Sequence, residues 1–266
     1  MTRLTFLGTG DAMGVPRTYC DCGVCQEARS RGVNRRLRSS LHVCDKASGD
    51  TLIDCGPDFG RQMELAGLRD VNRVLITHAH FDHIGGIVEW ADACRWLKKK
   101  GQLYAPQIVL DEISGRFPWL NRSLDFHSLD QGFHMGHWKV TSWQVNHGKN
   151  GYSFAFRFDH DQTGTAWAYC SDAISLTEEQ LQPLYGLELL ILGTSFYKEP
   201  FPIETRSVYD VTEALELLSV IQPKTSIFTH LSHDLDLSRE YELPEEVTFA
   251  KTGMTYSFLD GTPLVF

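Results

Sequence analysis

The sequence predicts an α/β fold, an αββα sandwich of two mixed β-sheets flanked by helices. Three observations predict it. Short segments rich in Val, Ile, Phe and Tyr, bounded by Gly, Asp or Asn, alternate with segments of helical periodicity along the whole chain. Strand-rich halves with interspersed helices bury their apolar faces when two sheets pack together and helices cover the outside. No Pro/Ser-rich linker and no repeat interrupts the pattern, so the 266 residues are expected to form one domain, 1–266.

Taken in order, Arg3–Leu7 reads as a strand running into the turn Gly8-Thr9-Gly10, and Ser40–Cys44 and Thr51–Asp54 read as the next two strands. Phe59–Ala66 reads as a helix and Arg73–Thr77 as a strand. In the helix Gly86–Lys99, Ile87, Trp90, Ala91, Cys94 and Leu97 fall at helical spacing, and Lys98-Lys99-Lys100 complements the negative end of the helix dipole. Gln107–Leu110 reads as a strand. His127, His134 and His137 fall in an expected loop before the strand Trp138–Val145. Strands Tyr152–Phe158 and Ala166–Ser171 follow, then a helix Thr177–Leu184 with Glu178 and Glu179 in its first turn. Leu189–Leu192 is the next strand, Ser207–Ile221 the next helix, and Thr225–Thr229 and Thr255–Leu259 the last strands.

Composition narrows the class. Hydrophobic residues make up 42% and charged residues 22%, as in ordinary globular enzymes. No apolar run approaches the roughly 18 residues of a bilayer span. The N-terminus lacks a signal-type apolar stretch and cleavage site, so the cytoplasm is the expected compartment. The net charge of −9 opposes nucleic-acid binding. The basic stretch Arg29, Arg31, Arg35, Arg36 and Arg38 reads as a solvated surface segment in preference to a phosphate-attracting patch. Seven cysteines do not make a disulfide framework. Cys20, Cys22 and Cys25 crowd together as metal ligands would, whereas Cys44, Cys55, Cys94 and Cys170 read as small core residues.

The chemistry-bearing run is Thr77-His78-Ala79-His80-Phe81-Asp82-His83, directly after a strand and followed by Gly85-Gly86. Residues i and i+2 of an extended turn point the same way, so His78 and His80 can bind one ion. Asp82 and His83 begin the next turn and face a second. The glycines let backbone pass close to the cluster.

This run resembles the HxHxDH motif of the metallo-β-lactamase superfamily. Gly8-Thr9-Gly10, Leu52-Ile53-Asp54-Cys55-Gly56, Asn146-His147-Gly148, Ser171-Asp172-Ala173 and Phe228-Thr229-His230 are similar to its remaining motifs, in the expected order. The resemblance implies that His78, His80 and His147 hold one ion, that Asp82, His83 and His230 hold the other, and that Asp172 bridges both. Asp82 and Asp172 are thereby the carboxylates assigned to catalysis. Asp54 would orient a ligand histidine through a hydrogen bond. Two divalent ions, Zn²⁺, Mn²⁺ or Fe²⁺, about 3.5–4 Å apart would share a hydroxide that attacks a phosphorus or carbonyl centre.

The spacing C-x-C-x₂-C at Cys20, Cys22 and Cys25 gives three ligands of a structural Zn²⁺, and His233 in Thr229-His230-Leu231-Ser232-His233 is the candidate fourth. The zinc-binding loop would span about residues 16–36 and be pinned to the loop carrying His230. The three cysteines after Gly-Thr-Gly, Gly14-Val15-Pro16 and the late Thr-His-x-Ser-His resemble the PhnP group, phosphodiesterases that act on cyclic phosphoribosyl phosphates. That group carries a further catalytic His before the helix at Ser207. Arg206-Ser207-Val208-Tyr209-Asp210 has none; Tyr197, Lys198, Tyr209 or one of His127, His134 and His137 could stand in.

The expectation is a phosphodiesterase acting on a small, cyclic or acyclic phosphate ester, with Arg17, Arg38 or Arg206 lining the mouth. Arginines turned away would favour the alternative, a hydrolase of a carbonyl ester, thioester or lactone using the same metals. A non-catalytic PqqB-like binding protein and an RNase Z-type nuclease are weaker alternatives. The expected partner is a small molecule, with neither nucleic acid nor membrane; a homodimer is an open possibility.

Overall fold

A computed structural model describes residues 1–259 and 262–265, with side chains through Phe258. The first part of the chain lays down β1 (Thr2–Gly8), α1 (Gly23–Ser30), β2 (Ser40–Asp45), β3 (Gly49–Ile53), α2 (Phe59–Ala66), β4 (Arg73–Leu75), α3 (Phe81–Ile84), α4 (Ile87–Trp96), β5 (Gly101–Ala105), α5 (Gln107–Arg116) and β6 (Leu124–Ser128). Then come β7 (Phe133–Met135), β8 (Trp138–Asn146), β9 (Tyr152–His160), β10 (Ala166–Cys170), α6 (Glu178–Leu181), β11 (Leu189–Gly193), α7 (Val211–Ile221), β12 (Thr225–Thr229), β13 (Val247–Phe249), β14 (Thr255–Leu259) and β15 (Thr262–Val265).

The strands form an eight-stranded sheet, β15-β14-β1-β2-β3-β4-β5-β6, and a seven-stranded sheet, β13-β12-β11-β10-β9-β8-β7. Both are mixed. β3 to β6 run parallel while β14, β1 and β2 run antiparallel to their neighbours, and β10 to β13 run parallel beside the antiparallel β7 to β9. This is the metallo-β-lactamase fold the motifs led us to expect. Side-chain alternation along each strand decides the layers. Leu4, Phe6, Ile53 and Leu75 of one sheet meet Phe156, Trp167, Tyr169 and Ile191 of the other in a shared inner core. Leu52 and Val74 point the other way, onto α2, α4 and α5. Ala168, Leu190 and Leu192 likewise point outward onto α7. β10 and β11 are covered on both faces, which is why they read as unbroken apolar runs. No helix among the described residues is long and apolar enough to cross a membrane.

Two expectations need correction. Gln107–Leu110 is the start of α5, not a strand. Val109, Leu110 and Ile113 are buried while Ile108 is exposed, a helical pattern that four residues are too few to reveal. The strand lies just before it, in β5, with alternating burial. The basic stretch is also not wholly solvated. Residues 36–38 run extended beside Val15 and Gly10, which draws Arg36 inside to 2% exposure.

Candidate metal centre

The cluster sits where strands of both sheets end. Asp54 follows β3, His78 follows β4, His147 follows β8, Asp172 follows β10 and His230 follows β12. In α/β sheets the carboxyl ends of strands open onto loops that can converge side chains. The chain approaches itself closely here. A Cβ on Gly56 would collide with the carbonyl of Asp82, and one on Gly86 with the carbonyl of Gly56. Of the pair Gly85-Gly86, Gly86 therefore brings backbone up to the cluster as expected. Asp54 and His230 hold φ of 63° and 59°, left-handed values that non-glycine residues keep mainly where surrounding structure enforces them.

The donor atoms fall into three overlapping groups: His78, His80 and His147; His78, His83 and Asp172; and Asp82, His83 and His230, the atoms within each lying within 4.8 Å of one another. His83 Nε2 is 3.0 Å from Asp82 Oδ2 and 3.3 Å from Asp172 Oδ2. His230 Nε2 is 3.3 Å from Asp172 Oδ1 and 3.7 Å from Asp82 Oδ2, and His147 Nε2 is 3.7 Å from Asp172 Oδ1. His78 Nε2 and His80 Nδ1 approach to 2.9 Å. All are buried except His80, which is half-buried at the rim, and Asp82, which has a small exposed edge.

This arrangement fits divalent metal. His83 Nε2, Asp172 Oδ2 and both ring nitrogens of His230 are buried with no hydrogen-bond partner, a state that proteins rarely leave uncompensated. Imidazole nitrogens and ionised carboxylates converge on one region, the donor set suited to zinc, manganese or iron. The electrostatics agree. Burial pushes the carboxyls of Asp82 and Asp172 up, yet the surrounding histidines outweigh it and hold both well below the usual carboxylate range. Burial lowers His78, with His83 adding to it, so His78 is neutral; burial does the same to His147. Burial opposes charge on His83 and His230 too, but the carboxylates prevail, raising His83 strongly and His230 to about 8. The fold thus gathers buried negative charge that calls for cations.

Behind the donors lies a set of orienting bonds that the motifs revealed only in part. Asp54 accepts from the Thr77 N–H at 2.9 Å and from the Thr77 hydroxyl at 2.9 Å, and pairs with His83 Nδ1 at 2.7 Å, the role expected of it. His147 Nδ1 donates to the Ser207 carbonyl at 2.7 Å. Thr77 Oγ1 and Ser153 Oγ lie 3.0 and 3.2 Å from His78 Nδ1. The supporting roles of Ser153 and Ser207 carry no local sequence signal, because their partners lie 75 and 60 positions away.

A second cluster forms from Cys20, Cys22, Cys25 and His233, again with donors within 4.8 Å of one another. His233 Nδ1 is 3.3 Å from Cys25 Sγ and 3.5 Å from Cys22 Sγ. Cys22 caps α1, and although burial opposes it, the N–H groups of Cys25 and Val24 lower its thiol pKa; burial raises Cys25 to about 11. All seven cysteines are free thiols, so the donor set matches a four-coordinate zinc site. The loop 230–237 is also stitched to the N-terminal segment by hydrogen bonds. Leu231 N–H donates to the Thr9 carbonyl at 2.8 Å, and the buried Arg36 donates to the carbonyls of Ser232 and Leu235 at 3.0 and 2.8 Å.

Several expected helpers lie elsewhere. His127 sits on β6, stacked on Tyr104 and bonded to Gln102; His134 sits on β7 beside Asp161; His137 faces His160. These positions belong to β6 and β7, the strands at one end of each sheet, and to the turn after β7, so none joins the cluster. The Tyr209 hydroxyl accepts from the Leu176 N–H, and burial pushes its pKa to about 12. Tyr197 stacks on Tyr241 at 5.1 Å, and Lys198 is exposed. Arg17, Arg38 and Arg206, expected to line the mouth, are all committed to carboxylates: Arg17 to Asp11, Arg38 to Asp58, and Arg206 to Glu199, Asp210 and Glu213.

Comparison with known proteins places this geometry among relatives. The family model described as the beta-lactamase superfamily domain matches residues 50–231, more than half of the chain. An octanoyltransferase of Porphyromonas gingivalis is 29% identical over 252 residues, an alignment covering 90% of this chain and 48% of that protein. The chain thus spans about half the length, or less, of the curated relatives it matches. A diphosphatase from the PhnP family superposes with a TM-score of 0.84 at 27% identity, covering 97% of this chain and 98% of the other. Zn²⁺-bound PqqB from Methylobacterium extorquens superposes with a TM-score of 0.77 at 19% identity, covering 95% and 99%.

Proposed function

Since the chain belongs to the metallo-β-lactamase superfamily, a hydrolase-like family, we propose that it is a dinuclear metal-dependent phosphodiesterase acting on a small phosphate ester. The observation that carries the reading is the convergence of seven His and Asp donors with orphaned lone pairs. The full-length likeness to a PhnP-family diphosphatase supports the phosphoester class. His78, His80 and His147 would hold one ion and Asp82, His83 and His230 the other, with Asp172 between them. When bound, two such ions supply Lewis acidity toward a phosphoryl oxygen and make water nucleophilic at neutral pH.

The chain's own residues prepare the donors. Thr77 gives its one hydroxyl proton to Asp54, so its oxygen accepts from His78 Nδ1–H and leaves His78 Nε2 with a free lone pair. Asp54 fixes the proton of His83 on Nδ1, and the Ser207 carbonyl does the same for His147. These bonds fix the ring orientations of His78, His83 and His147, so that each turns its Nε2 toward the cluster. Burial excludes bulk water from all but the His80 side and the edge of Asp82.

A second reading has specific support. The octanoyltransferase relative covers 90% of this chain, and Arg17, Arg38 and Arg206 are tied to carboxylates, both of which favour an acyl ester or thioester substrate. Metal-reconstituted protein assayed on phosphodiesters, cyclic nucleotides, lactones and thioesters decides between them. We expect up to three ions per chain, one resistant to mild chelation, and phosphodiester turnover that chelation abolishes. Turnover that survives complete metal removal would sink the reading.

A further inference from the structure

We propose that Arg116 is the specificity-determining cation of this centre, recognising a second phosphoryl group on the substrate; this rests on the phosphoester reading above. Arg116 ends α5 and was not legible as a site residue. Its Nη1 donates to the carbonyl of Ala79, the residue between His78 and His80, which sets the guanidinium at the rim beside the half-buried His80. Its Nη2 donates to Glu112 Oε2 at 2.9 Å. The other oxygen of Glu112 is taken by the Tyr152 hydroxyl. Burial and Glu112 push that hydroxyl's pKa to about 12, so it remains a donor. Tyr152 pairs with Asn146 across β8 and β9, next to His147, and its neighbour Ser153 supports His78. Through Glu112 the cation is braced on β9, the neighbour of the strand that leads into His147.

Exposure separates Arg116 from the other arginines considered for the mouth. The side chains of Arg17, Arg38 and Arg206 are 18%, 25% and 6% exposed, against 47% for Arg116. Only one oxygen of Glu112 engages Arg116, and a guanidinium has five N–H donors. Donors remain for an anion that reaches past the cluster by one phosphoryl unit. Arg116 would grip the group that is not cleaved, and so would act on substrate choice.

The test uses full-length protein in metal-saturating buffer. Binding of methylenediphosphonate and of orthophosphate is measured by calorimetry for wild type, Arg116→Gln and Arg116→Lys, with kcat and KM on bis(4-nitrophenyl) phosphate alongside. Loss of one charge-assisted contact should weaken methylenediphosphonate by roughly 10- to 100-fold in Arg116→Gln. Orthophosphate affinity and the KM for the singly charged diester should worsen by a clearly smaller factor than methylenediphosphonate affinity, and Arg116→Lys should recover part of the loss. Equal affinity of wild type and Arg116→Gln for methylenediphosphonate overturns the proposal. So does equal weakening of both ligands with loss of bound metal, which would make Arg116 a brace for the Ala79 turn. Wild type that turns over no phosphodiester yet shows the Arg116-dependent preference would sink the phosphoester reading and, with it, the role of Arg116 in substrate choice, although the cation binds diphosphate.

Discussion

Both oxygens of Asp172 face imidazole nitrogens: Oδ2 faces His83, and Oδ1 faces His230 and His147. On the proposed reading, a carboxylate in that position would be shared by two ions, whereas His147 Nε2 would serve one side of the cluster. Asp172→Ala should therefore lose both catalytic ions, and His147→Ala should chiefly weaken one. Metal counts per folded chain, with circular dichroism to check the fold, measure this; two catalytic ions retained in the Asp172 variant would show that the bridge is misassigned. At this scale the sequence was most informative where ligands are close in the chain. Four donors from His78 to His83 announce themselves, and the remaining motifs followed by resemblance. Arg116 did not, because its partner Ala79 is 37 positions away and an arginine ending a surface helix reads as solvated.

Among the elements, the loop that carries both His230 and His233 is supported in three ways: backbone bonds to Thr9, two Arg36 bonds and the thiol cluster. Zinc held by Cys20, Cys22, Cys25 and His233 would contribute folding free energy directly. Cys22→Ser and His233→Ala should lower the melting temperature more than they lower the rate per folded molecule, with a modest rate loss as the His230 loop shifts. Thermal melts paired with active-site-normalised rates check this. An inactive variant with unchanged melting temperature would move His233 into the catalytic site. The buried strands and long helices were legible because burial on one or both faces writes a period into the sequence. α5 was not, because its first four residues look apolar without showing their period. The short β5, β6, β7, β13 and β15 were also missed, since three to five residues carry little pattern.

For the molecule as a whole, the candidates for a proton donor are spread away from the cluster: Tyr209 faces Leu176, Tyr197 stacks on Tyr241, and His127, His134 and His137 lie on or beside β6 and β7. A positioned general acid is worth roughly 10²–10⁴-fold. Nitrophenyl phosphodiesters should therefore turn over faster than unstrained alkyl ones by a margin of that order, with cyclic phosphates favoured among alkyl substrates because ring strain helps them open. Rates plotted against leaving-group pKa provide the measurement; a flat line with chemistry rate-limiting would mean that an efficient acid is present. The stitching of residue 9 to residue 231 has one more consequence, for the birth of the protein. Synthesis at about 5–20 residues per second separates those two positions by on the order of 10–40 s. For most of that interval the three N-terminal thiols exist without His233, and for a shorter part of it His78 to His83 exist without His230. A nascent chain can therefore capture metal in the wrong place or oxidise at its thiols before it is long enough to complete either cluster, so ion supply during translation should govern how much of the protein matures correctly.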